Sequence, residues 1–301
     1  MESTDVVLLI GLAIASVILV SLSFREDHQA TLTQRMAAGS GLVLTHEQIP
    51  LVQDELGRRE RGAMIGGIIG AAASWILTSA DIGALTGPTV LLVVSGTITG
   101  SAVGSALVAL FAANRRPSGS VLVARSTSVS LADYSPPAAR YLARVLVLAG
   151  VGATIALLVM SNGRPVPAAI YILAASAVLT LTVFEVFGRR IALKGQPVGS
   201  VVELVLHDAL RATYLRDLVV APAVLAAYSL LIAVSTALSW IDAALPPGLA
   251  LLLYSAFLVS IFLTMMTKRS RRAVPHYLRR LWPEIAASGP GSTAIIEEPT
   301  R

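Results

Sequence analysis

The sequence of 301 residues contains no cysteine and few charged residues. Asp, Glu, Lys and Arg make up 14% of the chain and aromatic residues 5%, whereas 55% of the chain is hydrophobic. The lack of cysteine excludes disulfides, thiolate metal sites, iron–sulfur clusters and cysteine nucleophiles. A soluble domain carries about a quarter charged residues, so this composition excludes an ordinary globular enzyme. The abundance of aliphatic residues also excludes a disordered chain.

Long apolar segments are the main feature of the sequence. A helix needs about 20 mostly apolar residues to cross roughly 30 Å of hydrocarbon, and seven segments meet or approach this length. They cover residues 6–23, 62–80, 88–113, 145–160, 166–187, 218–240 and 247–267. The first lacks a basic N-terminal region and a small-residue cleavage site, so we predict a retained helix. The sequence therefore predicts an all-α polytopic membrane protein with seven transmembrane helices.

Seven membrane helices would place the remaining segments alternately on the two sides of the membrane, and positive charge is distributed unevenly between these sides. All 23 Lys and Arg residues except Arg164 fall on one side. Because cytoplasmic loops carry the excess of Lys and Arg, this distribution predicts a plasma-membrane protein with its N-terminus outside and its C-terminus inside. The pI of about 9.9 then reflects segments that attract anionic lipids of the inner leaflet, and we predict no nucleic-acid partner.

After the first helix, a polar segment and a helical hairpin alternate three times. Short turns that contain Gly and Pro join the helices of each hairpin, which makes them antiparallel neighbours. The predicted units are the first helix (1–23), two cytoplasmic segments (24–61 and 114–144), three hairpins (62–113, 145–187 and 218–267), a cytoplasmic amphipathic helix (188–217) and a basic tail (268–301).

Two helix starts are recognisable in the polar segments. Thr45 followed by Gln48 resembles a capping box, and we predict a helix from there that continues into the second membrane helix. Pro136 and Pro137 are typical of a first helical turn, with Asp133 or Ser135 as the expected cap.

The segment from Ser200 to Asp217 is imperfectly amphipathic, because Asp208 and Arg216 interrupt its apolar side. We predict an interfacial helix along the inner leaflet. Its polar residues are candidates for docking a cytoplasmic protein such as an ATPase. These candidates are Glu203, His207, Arg211 and Tyr214.

Glycines recur every four residues in the second and third predicted helices. Small residues at this spacing form a flat strip that lets two backbones approach. The predicted helix-packing seam consists of Gly62, Gly66, Gly70, Gly96, Gly100 and Gly104. The favoured interpretation is packing within one hairpin. A contact between copies of the chain and a seam that opens for transport are the alternatives.

Charge inside the predicted spans is almost absent. Glu185 is the only acidic residue in a span, and Arg189 is its expected i+4 partner. With Thr182, Glu185 forms a candidate intramembrane polar site, for which a salt bridge is the favoured interpretation and a proton or cation site the alternative. The lack of charge near the middle of any span argues against a proton-coupled pump, a voltage sensor and a retinal protein.

No catalytic, metal-binding or cofactor motif is present, and the four histidines have no second ligand at metal spacing. The leading hypothesis is a non-enzymatic, permease-like or accessory subunit of a transport or export assembly. A membrane-embedded enzyme acting on lipid, with residues such as Glu203, His207, Asp208 or His46, is the alternative. A third hypothesis is a regulatory or scaffold protein that oligomerises through the glycine seam.

Overall fold

The computed structural model describes residues 21, 25–40, 44–79, 89–112, 129–193, 200–240 and 274–287. Of these residues, 89% are helical and none forms a strand. The predicted first helix (apart from residue 21) and the predicted seventh helix lie outside the described residues. In chain order the helices are α1 (Glu26–Ser40), α2 (Gln48–Ser79), α3 (Thr89–Ala112), α4 (Leu131–Tyr134), α5 (Pro137–Met160), α6 (Ala168–Leu193), α7 (Val201–Ser239), α8 (His276–Leu281) and α9 (Pro283–Ala287).

Four of the described helices are long and apolar enough to cross a membrane. They are Leu92–Phe111 within α3, and the whole of α5, α6 and α7. These helices contain or overlap the third to sixth predicted spans. The second predicted span lies on α2, which is outside this group. The all-α class is confirmed and the four helices indicate a membrane protein, while the total of seven spans, the orientation and the plasma-membrane location stay predictions.

Helix α7 runs without interruption from Val201 to Ser239, so the amphipathic helix predicted at 188–217 is not a separate element. Its 39 residues span about 58 Å at 1.5 Å per residue, nearly twice the hydrocarbon thickness. The apolar side of its first turns is covered by protein, since Leu204, Val205 and Ala209 are buried. These residues therefore extend a long helix away from the apolar region instead of lying flat on a lipid surface.

Helix α2, like α7, is one continuous helix that joins two different segments: its first half is charged and its second half is apolar. The backbone N–H of Thr45 donates to Oε1 of Gln48 at 3.1 Å, and the helix begins at Gln48 and ends at Ser79. The predicted Thr45–Gln48 contact and the continuation into the apolar segment are confirmed, but the helix begins at Gln48 and not directly after Thr45.

Helix α7 organises the packing. It lies against both α5 and α6, while α3 packs against α2 on one side and α6 on another. The largest buried cluster is at the end of the bundle where α1, α4, α8 and the first halves of α2 and α7 meet, which we call the basic end. Met36, Val52, Leu131, Leu206 and Tyr277 are among its members. Two smaller clusters follow further along α7.

The outer surface of α5 is apolar along its length. Leu148 is 72% exposed and Val159 is 74% exposed. Contiguous exposed apolar surface of this kind is unfavourable in water and indicates contact with lipid or another protein.

Candidate functional site

The two glycine triplets face each other within the α2–α3 hairpin. A Cβ atom added to Gly66 would overlap the carbonyl oxygen of Gly100, and one added to Gly70 would overlap the carbonyl oxygen of Gly96. Gly104 lies equally close to the backbone of Gly62. The backbones therefore touch along the whole strip, which only residues without a side chain permit. The structure brings all six glycines of the predicted seam into a contact inside one chain.

A buried carboxylate, Asp208, lies at the basic end. Its side chain is 1% exposed. Oδ1 accepts a 2.7 Å hydrogen bond from the Tyr134 hydroxyl, and Oδ2 accepts one of 2.9 Å from Nε1 of Trp282. A buried charge is costly unless it is hydrogen-bonded, and these two donors come from α4 and from the residue between α8 and α9. Asp208 thus joins three segments that are far apart in sequence.

The tyrosines around Asp208 are held in their neutral form. Burial, together with the negative charge of Asp208, raises the pKa of Tyr134 to about 12. Burial and the same carboxylate also raise the pKa of Tyr277. Both hydroxyls therefore stay protonated near neutral pH, which keeps Tyr134 a donor to Asp208.

The segment His276–Trp282 is attached to the turn around α4 by two further contacts. Nε2 of His276 lies 3.0 Å from the carbonyl oxygen of Ala132, and Nε of Arg280 lies 3.5 Å from Oδ1 of Asp133. Tyr277 and Leu278 are buried in the main cluster. Part of the predicted basic tail is therefore a packed component of the basic end.

Asp133 completes the capping box of α4, whose N-cap is Ser130, and does not cap α5, which corrects one predicted role. Its Oδ2 accepts hydrogen bonds of 2.8 Å from both the N–H and the hydroxyl of Ser130. Helix α5 starts after its N-cap residue Pro136 without a side-chain cap, because proline has no side-chain oxygen to accept from the N–H groups of the first turn. Partial burial alone would raise the pKa of Asp133, but the Ser130 hydrogen bonds and the charge of Arg280 lower it below the usual value.

Two of the four candidate docking residues are buried, which corrects their predicted role. Tyr214 is 3% exposed and Arg211 is 9% exposed. The guanidinium carbon of Arg59 lies 4.8 Å from the centroid of the Tyr214 ring, and Nη2 of the same arginine lies 2.7 Å from Oδ2 of Asp217. Arg59 of α2 thus covers Tyr214, and both Tyr214 and Arg211 belong to the interior.

Glu203 and His207 remain accessible on α7. Their side chains are 39% and 36% exposed, and Nε2 of His207 lies 3.7 Å from Oε1 of Glu203. Glu55 of α2 acts electrostatically on the same imidazole. This small surface of Glu203, His207 and Glu55 is the accessible remainder of the predicted docking set, and we call it the α7 start surface.

Glu185 pairs mainly with a residue that sequence spacing did not indicate. Arg144 of α5 donates from Nε at 2.9 Å and from Nη2 at 2.6 Å to Oε1 of Glu185. The predicted partner Arg189 lies 3.6 Å from Oε2. The salt-bridge interpretation therefore fits, with a partner from the neighbouring helix. The Thr182 hydroxyl donates to the carbonyl oxygen of Val178, so it is satisfied within its own helix.

The remaining candidate residues of the enzyme hypothesis are dispersed. His46 is exposed in the turn before α2, away from Glu203, His207 and Asp208 on α7. His28, which was not a candidate, pairs with Glu60 at 2.7 Å. In the part of the chain that the structure describes, no group of three or more His, Asp or Glu residues is arranged to hold a metal ion.

Sequence reasoning named Asp208 as a candidate residue but missed its partners Tyr134 and Trp282, and it missed Arg144 as the partner of Glu185. The sequence did contain one indication of a buried contact, because Asp208 interrupts the apolar side of its helix and an acidic residue there requires a buried partner.

Compared with known proteins, the chain matches no protein-family model, no curated protein and no solved structure.

Proposed function

We propose that this chain is a non-enzymatic, permease-like or accessory subunit of a transport or export assembly, which docks a cytoplasmic protein such as an ATPase at its basic end. The observation that carries this proposal is the folded state of that end. Segments between membrane helices need no packed structure, yet α1, α4, α8 and the first halves of α2 and α7 pack with residues of α3, α5 and α6 in the largest buried cluster of the described residues. A rigid surface of this kind is suited to holding a partner in one orientation.

The α7 start surface offers the chemistry for docking. Glu203 lies 3.7 Å from the imidazole of His207, and Glu55, which acts electrostatically on the same imidazole, is itself paired with Arg58 at 2.9 Å. Charge complementarity would favour a cationic segment of the partner protein. Val202, 36% exposed, lies beside Glu203 and supplies an apolar contact.

A membrane-embedded enzyme acting on lipid is the alternative. It is less favoured because both oxygens of Asp208 already accept hydrogen bonds from Tyr134 and Trp282, which removes the carboxylate from acid–base work. An oligomeric scaffold is less favoured because the glycines that would join two copies contact each other within one hairpin.

The test is affinity purification of the tagged full chain from membranes in mild detergent, with quantitative mass spectrometry. We expect a stoichiometric cytoplasmic partner, and we expect Glu203→Lys to reduce its recovery at least tenfold because the charge that faces the partner is reversed. Glu284→Lys makes the same charge change on the exposed face of α9 and should leave recovery unchanged.

Three results would overturn the proposal: a lone chain, equal recovery with Glu203→Lys, or a complex of identical chains only. In the last case, loss of crosslinked oligomers in Gly100→Leu, with membrane insertion and unfolding temperature both unchanged, would establish the scaffold hypothesis. Lipid-modifying activity that is abolished by His207→Ala or His46→Ala would establish the enzyme hypothesis.

A further inference from the structure

A groove of about 600 Å³ runs between α5 and α6. Val147, Leu148, Leu181 and Val186 line its apolar part, and Arg144, Glu185 and Arg189 line its charged end. The volume is in the range of small-molecule sites, roughly 300–1,000 Å³. The groove lies between two of the helices that are long and apolar enough to span a membrane.

The lining changes from charged to apolar along the helix axes. Helices α5 and α6 are antiparallel, so Arg144 near the start of α5 and Arg189 near the end of α6 lie at the same level. Leu148 and Leu181 follow one and two turns further toward the middle of the bundle. The eight-residue separation between Leu181 and Arg189 corresponds to about 12 Å along α6. The groove is therefore charged at one end and apolar toward the middle of the bundle, in the same order as the headgroup and acyl chains of a membrane lipid.

The charged end has an excess of positive charge. Arg144 and Arg189 both approach the carboxylate of Glu185, at 2.6 Å and 3.6 Å, so two guanidinium groups share one carboxylate. The side chain of Arg189 is 67% exposed, which leaves its donors within reach of a ligand. The Tyr141 ring lies 6.0 Å from the Arg144 guanidinium and is exposed, as is typical of an aromatic residue at the level of lipid headgroups.

We propose that this groove binds an anionic glycerophospholipid, with its phosphate at Arg189 and Arg144 and the first part of an acyl chain along Leu148, Leu181 and Val186. Guanidinium groups bind phosphate oxygens through several N–H donors, and basic pockets between membrane helices recognise anionic headgroups. Glu185 holds Arg144 in place and limits the net positive charge, which suits one phosphate and not a polyanion. The proposal is independent of the docking of a cytoplasmic partner.

The test uses the full chain in detergent, titrated with phosphatidylglycerol or phosphatidylcholine and measured by native mass spectrometry. We expect phosphatidylglycerol to bind several-fold more tightly than phosphatidylcholine. Arg189→Gln should weaken phosphatidylglycerol binding about fivefold, the effect of one arginine near an anionic headgroup. Arg190→Gln removes the same charge one position along α6, where the side chain is exposed but does not line the groove, and it should leave binding unchanged.

The proposal is overturned if the wild-type chain shows no preference for phosphatidylglycerol, or if Arg189→Gln and Arg190→Gln have equal effects. A further measurement adds inorganic phosphate at millimolar concentration to the lipid-bound chain. Displacement of the lipid by phosphate alone would assign the site to a free anion, whereas retention of the lipid supports recognition of its acyl chain as well.

Discussion

The hydroxyl of Tyr134 donates a 2.7 Å hydrogen bond to Oδ1 of Asp208, a residue 74 positions further along the chain. On its other side, Asp208 accepts a hydrogen bond from Trp282, again 74 positions away. One buried carboxylate therefore holds together α4, α7 and the segment that follows α8. These contacts keep the basic end folded as a single unit.

Asp208→Ala should destabilise the protein because it leaves the buried Tyr134 hydroxyl and the Trp282 N–H without their acceptor. We expect the free energy of unfolding to fall by about 3 kcal/mol, since each unsatisfied buried donor costs about 1–3 kcal/mol. Thermal unfolding in detergent measures this loss. Glu203→Ala on the same helix removes a half-exposed carboxylate and should change the stability by less than about 0.5 kcal/mol. Equal stabilities of the two variants would show that Asp208 does not hold the basic end together.

Gly100→Ala should separate α2 from α3, because the new Cβ would overlap the carbonyl oxygen of Gly66. We expect a loss of about 1–3 kcal/mol, typical of overpacking at a close contact. Gly152→Ala is the matched control, since a Cβ there has no neighbouring heavy atom within 4 Å. That change should be neutral or stabilising by up to about 1 kcal/mol, because alanine is the better helix former. Unfolding temperatures that fall equally in both variants would argue against the close contact.

Arg144→Gln should leave the carboxylate of Glu185, whose side chain is 20% exposed, with only the more distant Arg189. We expect the free energy of unfolding to fall by about 2 kcal/mol. Adding Glu185→Gln should recover part of this loss, because the uncompensated charge is then removed. A double-mutant cycle measures the coupling of the pair, and Arg190→Gln serves as the exposed control. Additive effects of the two changes would mean that the ion pair contributes nothing to stability.

Asp133→Asn should lower the stability in a pH-dependent way. The pKa of Asp133 is below its usual value of 3.8, so its stabilising contribution is present above that pH and is lost as the pH falls through the folded-state pKa. The difference in unfolding temperature between wild type and Asp133→Asn should be largest near neutral pH and should close below about pH 4. Glu284→Gln, on an exposed side chain of α9, should show no comparable change. A difference that stays constant with pH would exclude a role for the carboxylate charge.

Local pattern was sufficient to predict much of the helical structure. Apolar runs indicated the third to sixth spans, and the four-residue glycine spacing predicted the strip on which α2 and α3 meet. The Thr45–Gln48 pair marked the start of α2. Each of these features depends on residues within a few turns of one another, so the local sequence is sufficient to predict it.

Hydrophobic periodicity gave a wrong prediction where one side of a helix is covered by a segment that is distant in sequence. The residues from Ser200 to Asp217 resemble an interfacial helix, yet their apolar side packs on protein and their chain continues as α7. Hydrophobic periodicity shows that a side is buried but does not show what buries it. For the same reason Tyr214 and Arg211 were predicted on an accessible polar surface, whereas both are buried.

The sequence by itself determined that this is a helical chain with apolar segments of membrane-spanning length, with all of its Lys and Arg residues outside those segments. Composition and periodicity are local properties, and no packing is needed to observe them. Only the tertiary structure decided that Glu185 pairs mainly with Arg144 rather than Arg189, and that Asp208 lies between Tyr134 and Trp282. Those partners are 41 and 74 residues away, and their contacts depend on how the helices are packed, which spacing along one helix does not encode.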